Sequence, residues 1–342
     1  MIQNDKFLLP KIENWEKWGT LFTNKDIWKD IIISICEKHG IKFKEMEAGF
    51  PGTNAVFVLD KKYVIKIFAP ECSEDFRKEM NCLNLFSSCE NMKFYQPKIL
   101  FYGNYQDRRE WIYLIISFIE GEAIRDERDK IKKENMVEIV EHLAALVKEM
   151  HQMDYCQNEY WEKLKGKLNW QNYFEKKKKE TLESLREAKL VNDKAISEME
   201  EKFKKIFDLD QEVDFVLVNG DLTEDHLLIK KSVQEPTSYR VSGLIDYGDA
   251  MIAPCEYEFV ALWGSLLDFD PFLFHKFIIK YNKEINFDTS FRDKMMCFTL
   301  IHEFSFLIIK DFLTKKRIEK ISSWDQIRDI FWKKELEEFN LK

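Results

Sequence analysis

Along the first third of the chain, apolar positions recur first at helical and then at strand spacing. Residues 13–39 carry Trp15, Trp18, Leu21 and Phe22 on one helical face. Short apolar or alternating runs follow at 43–49, 54–60 and Tyr63–Phe68, the last two joined by the turn Asp60-Lys61-Lys62. The pattern predicts a meander. Pro70 leads into a helix from about Ser73, with Ser73 as N-cap and Glu74 and Asp75 in a first turn that favours negative charge. Further runs at 97–103 and 111–119 complete a predicted five-stranded sheet.

After Gly121 the period changes. Residues 134–153 and 158–208 read as long helices, strand-like runs return at 213–218, 226–230 and 240–246, and residues from 256 onward read as helices rich in Phe, Leu and Trp. The expected fold is α+β with two lobes: 1–119, a sheet with an N-terminal helical extension, and 120–342, mostly helical. No internal repeat or low-complexity linker interrupts either part.

Composition narrows the setting. With 342 residues, 45% apolar and 14% aromatic, the chain can bury a large core. The opening MIQNDKFLLPK lacks the order of an export signal, and Trp111–Ile119 is too short to span a bilayer, so a soluble cytoplasmic protein without a membrane partner is expected. Seven cysteines without a Cys-x-x-Cys pair argue against disulfide or zinc frameworks. A net charge of -8 argues against nucleic-acid binding, and Lys176–Lys179 reads as a solvated helix face. A monomer or weak homodimer is expected.

Two charges stand in apolar surroundings. In Tyr63-Val64-Ile65-Lys66-Ile67-Phe68 both strand faces are apolar except at Lys66, and Glu79 falls within the helical stripe Phe76, Met80, Leu83 and Phe86. Either side chain alone could snorkel to water. Their occurrence on adjacent strand and helix points instead to a buried pair, because an unpaired buried charge costs several kcal/mol.

Two carboxylates stand at strand ends. Phe215-Val216-Leu217-Val218 runs into NGDLTEDHLLI, placing Asp221 just beyond a strand and His226 at the start of the next, and Asp246 follows Gly243-Leu244-Ile245. Acidic groups so placed can hold a metal and a reacting hydroxyl. Each residue alone also fits an ordinary turn, Asn219-Gly220 being a strong turn signal. The ordered set is what carries the argument.

In that order the elements resemble the protein-kinase signature: Val64-Ile65-Lys66 the V-A-I-K strand, Glu79 its helix partner, Asn219 to His226 the H-R-D-L-x-x-x-N loop, and Asp246-Tyr247-Gly248 the D-F-G. GLIDYGDAMIAPCEYEF and the helical insertion at 158–208 bring the chain closer to aminoglycoside phosphotransferases and the related hygromycin, macrolide and choline kinases, over about residues 43–270. Three departures stand out. Asn219 replaces the first histidine of the loop, His226 replaces its metal-binding asparagine, as in macrolide kinases, and Gly49-Phe50-Pro51-Gly52-Thr53-Asn54 has only two glycines.

The resemblance implies a bilobal protein-kinase-like fold and phosphoryl transfer from ATP or GTP, with Mg2+, to a small-molecule hydroxyl. It implies Asp221 as the catalytic base, His226 and Asp246 as metal ligands, and Lys66, held by Glu79, on the α- and β-phosphates. Backbone amides of Thr53 and Asn54 would cover the phosphates, and Ser117-Phe118-Ile119 would contact the base. The acceptor would be an aminoglycoside or another antibiotic, with Glu224, Asp225, Asp249, Glu256, Asp268 and Asp270 as a candidate acidic rim. Trp161, Trp170 and Trp263 are candidate stacking residues, although a tryptophan in a helix is usually core. A metabolite kinase of choline, homoserine or sugar type, or a non-catalytic nucleotide-binding pseudokinase, is the alternative.

Overall fold

The structure, a computed structural model, describes residues 18–19, 21–49, 52–89, 96–153, 155, 158–165, 170–206, 214–232 and 238–341. Trp15, Phe50 and Pro51 lie outside them. Helix α1, Lys25–Lys38, begins where the Asn24 side chain accepts from the Asp26 and Ile27 amides and breaks the helix expected over 13–39. Its Trp28, Ile31, Ile32 and Ile35 are buried. Trp28 meets Phe57 and Trp111 edge-on or tilted, at ring distances of 6.3 and 6.0 Å, which fixes the helix to the sheet.

The sheet contains β1 (Met46–Ala48), β2 (Ala55–Leu59), β3 (Tyr63–Phe68), β4 (Ile99–Gln106) and β5 (Glu110–Ser117), in the order β1-β2-β3-β5-β4 and antiparallel throughout. Asp60 and Lys61 both take positive φ in the turn that joins β2 to β3. The central strand β3 pairs Lys66 with Val56 on one side and Leu114 on the other. Helix α2, Ser73–Ser87, buries Glu79, Leu83 and Phe86, and Phe76 packs edge-on against Phe68 of β3.

Past Gly121 the chain is mainly helical, with small antiparallel sheets between. Strand β6 (Glu122–Ala123) pairs with β8 (Leu227–Lys231), which pairs with β9 (Tyr239–Leu244), while β7 (Phe215–Val218) pairs with β10 (Met251–Pro254). The sequence pattern missed β10. Its four residues are buried and show no alternation, so only pairing with β7 identifies it.

Helix α3, Lys133–Gln152, matches expectation closely. The helical segment expected over 158–208 comprises α4 (Glu159–Lys165), α5 (Trp170–Glu187) and α6 (Asp193–Ile206), where Asn192 caps α6 by accepting from the Ala195 amide at 2.8 Å. Helices α7 (Pro271–Tyr281), α8 (Thr289–Ile301), α9 (Ser305–Lys315) and α10 (Trp324–Phe331) close the core around Trp263 and Trp332, which stack at 5.1 Å. No helix among the described residues is long and apolar enough to cross a membrane.

Candidate active site

The inward lysine and glutamate meet as their strand and helix positions require. Lys66 Nζ lies 2.5 Å from Glu79 Oε2, with the two side chains 4% and 0% exposed, and 3.0 Å from Asp246 Oδ1. One ammonium thus joins the five-stranded sheet to the helical part of the molecule. Burial pushes the Glu79 carboxyl up to about 7, with Lys66 pulling it back down, while its Oε1 has no hydrogen-bond partner among the described residues. Burial disfavours the Lys66 charge, yet Asp246 and Glu79 together more than offset it and hold the ammonium protonated.

The two strand-end aspartates are tied to each other through Asn219. Its side-chain amide donates to the Asp246 carbonyl at 2.9 Å, its Oδ1 accepts from the Asp221 amide at 3.1 Å, and its own N–H donates to Glu258 Oε2 at 2.7 Å. Gly220 takes φ +81°, and a Cβ there would sit 2.7 Å from the Asp249 carbonyl oxygen, so the turn accepts only glycine. Asp246 itself adopts φ +59°, a backbone state the flanking contacts must hold in place.

His226 stands between the acids. Its Nδ1 is 2.8 Å from the Asp221 carbonyl oxygen, 3.2 Å from Thr223 Oγ1 and 3.4 Å from Asp221 Oδ2, and its Nε2 is 3.8 Å from Asp246 Oδ2. A carbonyl can only accept, so this geometry puts a proton on Nδ1, and although burial disfavours the charge, Asp246 and Asp221 raise the His226 pKa and favour the imidazolium, with Nε2 toward Asp246. Burial pushes Asp221 up to about 6, opposed by His226 and reinforced by Asp246. Burial also raises Asp246, but Lys66 and His226 outweigh it and hold that carboxyl well below the usual range.

A family model, the phosphotransferase enzyme family, matches residues 45–289, which include every residue of this cluster. The chain belongs to the phosphotransferase enzyme family. None of the curated protein sequences matches it. Among solved structures, this phosphotransferase is similar to the GDP complex of wild-type aminoglycoside 2'-phosphotransferase-IIIa, at 18% identity and a TM-score of 0.63 over 93% of this chain and 100% of that one. It is also similar to the streptomycin-ATP-APH(2")-IIa ternary complex, at 18% identity and TM-score 0.58 over 79% and 86% of the two chains. The gentamicin-APH(2")-IIa complex matches at 18% identity and TM-score 0.57 over 91% and 97%. At such identity these likenesses establish the kinase-like fold.

Other expected site residues of the phosphotransferase fall less simply. Asn54 is buried with its Oδ1 lacking a partner among the described residues, and the Thr53 carbonyl accepts from Trp18 Nε1 at 2.8 Å. In the expected base-contacting segment, the amides of Ser117 and Phe118 already donate to the Lys98 and Lys62 carbonyls, at 2.9 and 3.0 Å.

A cleft of about 570 Å³ opens beside Asp221, and of the expected acidic rim Glu224 and Asp268 line it. Asp225 is held by Arg125, Glu256 pairs with Lys294, and Asp270 caps α7 by accepting from the Phe272 and Leu273 amides. Asp249 lies near enough to Asp221 that its carboxyl, pushed up to about 7 chiefly by burial, is raised further by that charge. The three tryptophans are packing residues: Trp161 stacks on Tyr155, Trp170 on Tyr173 and Trp263 on Trp332.

Sequence reasoning missed Asp129, Asp311 and Glu258. The first two line the cleft from segments remote in sequence. Glu258 is fully buried beneath the Asn219–His226 loop with His151 Nε2 at 3.6 Å, and its sequence signal is a carboxylate between Tyr257 and the apolar run Phe259-Val260-Ala261-Leu262. Glu258→Leu is expected to cost about 1–3 kcal/mol by leaving the Asn219 amide unpaired. A denaturant midpoint unchanged from wild type would refute that role.

Proposed function

We propose that the phosphotransferase moves the terminal phosphoryl group of ATP or GTP to a hydroxyl of a small molecule bound in the cleft beside Asp221. The observation that carries this reading is the convergence of Lys66, Glu79 and Asp246 in one ion cluster, with His226 linking it to Asp221. A structural ion pair alone would leave no reason for a second and third acid at the same point.

Asp221 accepts the acceptor proton as the oxygen attacks the terminal phosphorus. The new P–O bond forms as the bond to the bridging oxygen breaks, and the nucleoside diphosphate leaves. Lys66, oriented by Glu79, neutralises the α- and β-phosphates. The base is met by backbone of Ser117-Phe118-Ile119; with the first two amides committed, the donor falls to Ile119. The backbone amides of Thr53 and Asn54 cover the phosphates.

The donor set suits Mg2+. Asp246 Oδ1 is engaged by Lys66, so Asp246 Oδ2 and, once its ring is neutral, His226 Nε2, 3.8 Å apart, would hold the cation. Bound there, the cation would neutralise phosphate charge. Imidazole is a softer donor than magnesium prefers. His226→Asn is accordingly expected to keep turnover within about threefold, and His226→Ala to raise the Mg2+ concentration for half-maximal rate about tenfold. An unchanged metal requirement in both variants would remove His226 from the site.

The decisive experiment crosses ATP and GTP with aminoglycosides, hygromycin, macrolides, choline, homoserine and sugars, reading phosphoryl transfer with and without EDTA. Metal-dependent, Asp221-dependent product in any arm supports the reading. Nucleotide binding without hydrolysis or transfer in any arm would favour the pseudokinase instead.

A further inference from the structure

We infer that the acceptor is amphipathic, a hydroxyl-bearing molecule with an extended apolar face and few cationic groups, lying along helix α9. The inference rests on the phosphotransfer reading and narrows it. Phe304, Leu307, Ile308, Asp311 and Lys315 recur at the spacing of one helical face, and all five line the cleft that contains Asp221. The stripe shares the cleft with Asp221, Thr223 and Glu224 of the Asn219–His226 loop.

The apolar end of the stripe has no covering partner. Leu307 is 62% exposed, more than any other large apolar side chain among the described residues. Ala261, Gly264 and Phe269 supply further small or apolar lining to the same cleft. An exposed leucine in a concave site beside the reactive residue marks a surface made to be covered.

Two of the five acids that line the cleft are answered by the protein's own cations. Glu224 is met by Arg125 and by Arg128, at 3.8 and 3.4 Å, and Asp311 by Lys315 at 2.9 Å. Asp129 and Asp268 are the lining carboxylates for which no ion pair occurs among the described residues, while Asp221 is met by His226 at 3.4 Å. A polycation would have to displace Arg128 and Lys315 to use the rest. A ligand with one or two amines and a broad apolar face needs no such exchange.

The test compares matched acceptors on the intact chain: erythromycin and n-octyl β-D-glucoside as amphipathic probes, kanamycin and glucose as polar ones. Phosphoryl transfer from ATP and GTP and calorimetric binding are both read. The amphipathic member of each pair is expected to bind more tightly and, where transfer occurs, to show a kcat/KM at least about tenfold higher, the worth of one buried leucine-sized contact. Leu307→Glu is expected to remove that preference with the nucleotide KM unchanged, and Leu307→Met to keep it.

Preferential transfer to kanamycin, indifferent to Leu307→Glu, would overturn the amphipathic class while upholding phosphotransfer. Binding of the amphipathic probes without transfer would uphold the class and count against the phosphotransfer reading. Failure of both amphipathic probes to bind would overturn the inference.

Discussion

Asp221→Asn is expected to lower turnover by about a hundred- to ten-thousandfold, the usual worth of a positioned general base, while nucleotide affinity stays within about threefold. The substitution is nearly isosteric. The Asp221 amide still donates to Asn219 and its carbonyl still accepts from His226, because both contacts belong to the backbone. What disappears is the carboxylate, which burial already pushes up to about 6 and so makes ready to take a proton near neutral pH. Steady-state rates together with nucleotide titration calorimetry check the split. Turnover within tenfold of wild type would exclude Asp221 as the base.

Lys66→Ala should be the most damaging change to the fold as well as to triphosphate binding. It strands Glu79, which is fully buried, and removes the cation from Asp246. Breaking a buried pair by deleting one partner typically costs about 3–5 kcal/mol. The loss should depend on pH. Glu79 is pushed up to about 7 even beside the ammonium, and without it burial acts unopposed by that charge. A carboxyl with a folded pKa above its unfolded value contributes stability that is present at low pH and lost as pH rises through the folded pKa. The deficit of Lys66→Ala should therefore be smaller at pH 5 than at pH 8. Equal deficits in urea melts at the two values would show that Glu79 is not the stranded charge.

How much could be read in advance follows from the kind of signal each residue carries. Lys66 and Glu79 break an otherwise apolar period of 2 or 3.6, so the chain itself shows them pointing inward, and they meet at 2.5 Å. Asp221 and Asp246 sit at strand ends, and the loop order preserved their spacing. Asp129 and Asp311 carry no such mark. Each looks like any solvated helical acid until the fold brings it to the cleft. Trp263 carried two readings, core residue or stacking platform, which a helical aromatic leaves open in sequence until Trp332 is seen against it. The strand Met251–Pro254 escaped because complete burial erases alternation, the only local sign of a strand.

The sharing of Lys66 between Glu79 and Asp246 has a thermodynamic consequence. If phosphate draws the ammonium away, Asp246 is left with an uncompensated negative charge unless a second cation arrives at its free oxygen. Nucleotide and divalent ion would then bind with positive coupling, each tightening the dissociation constant of the other by the same factor.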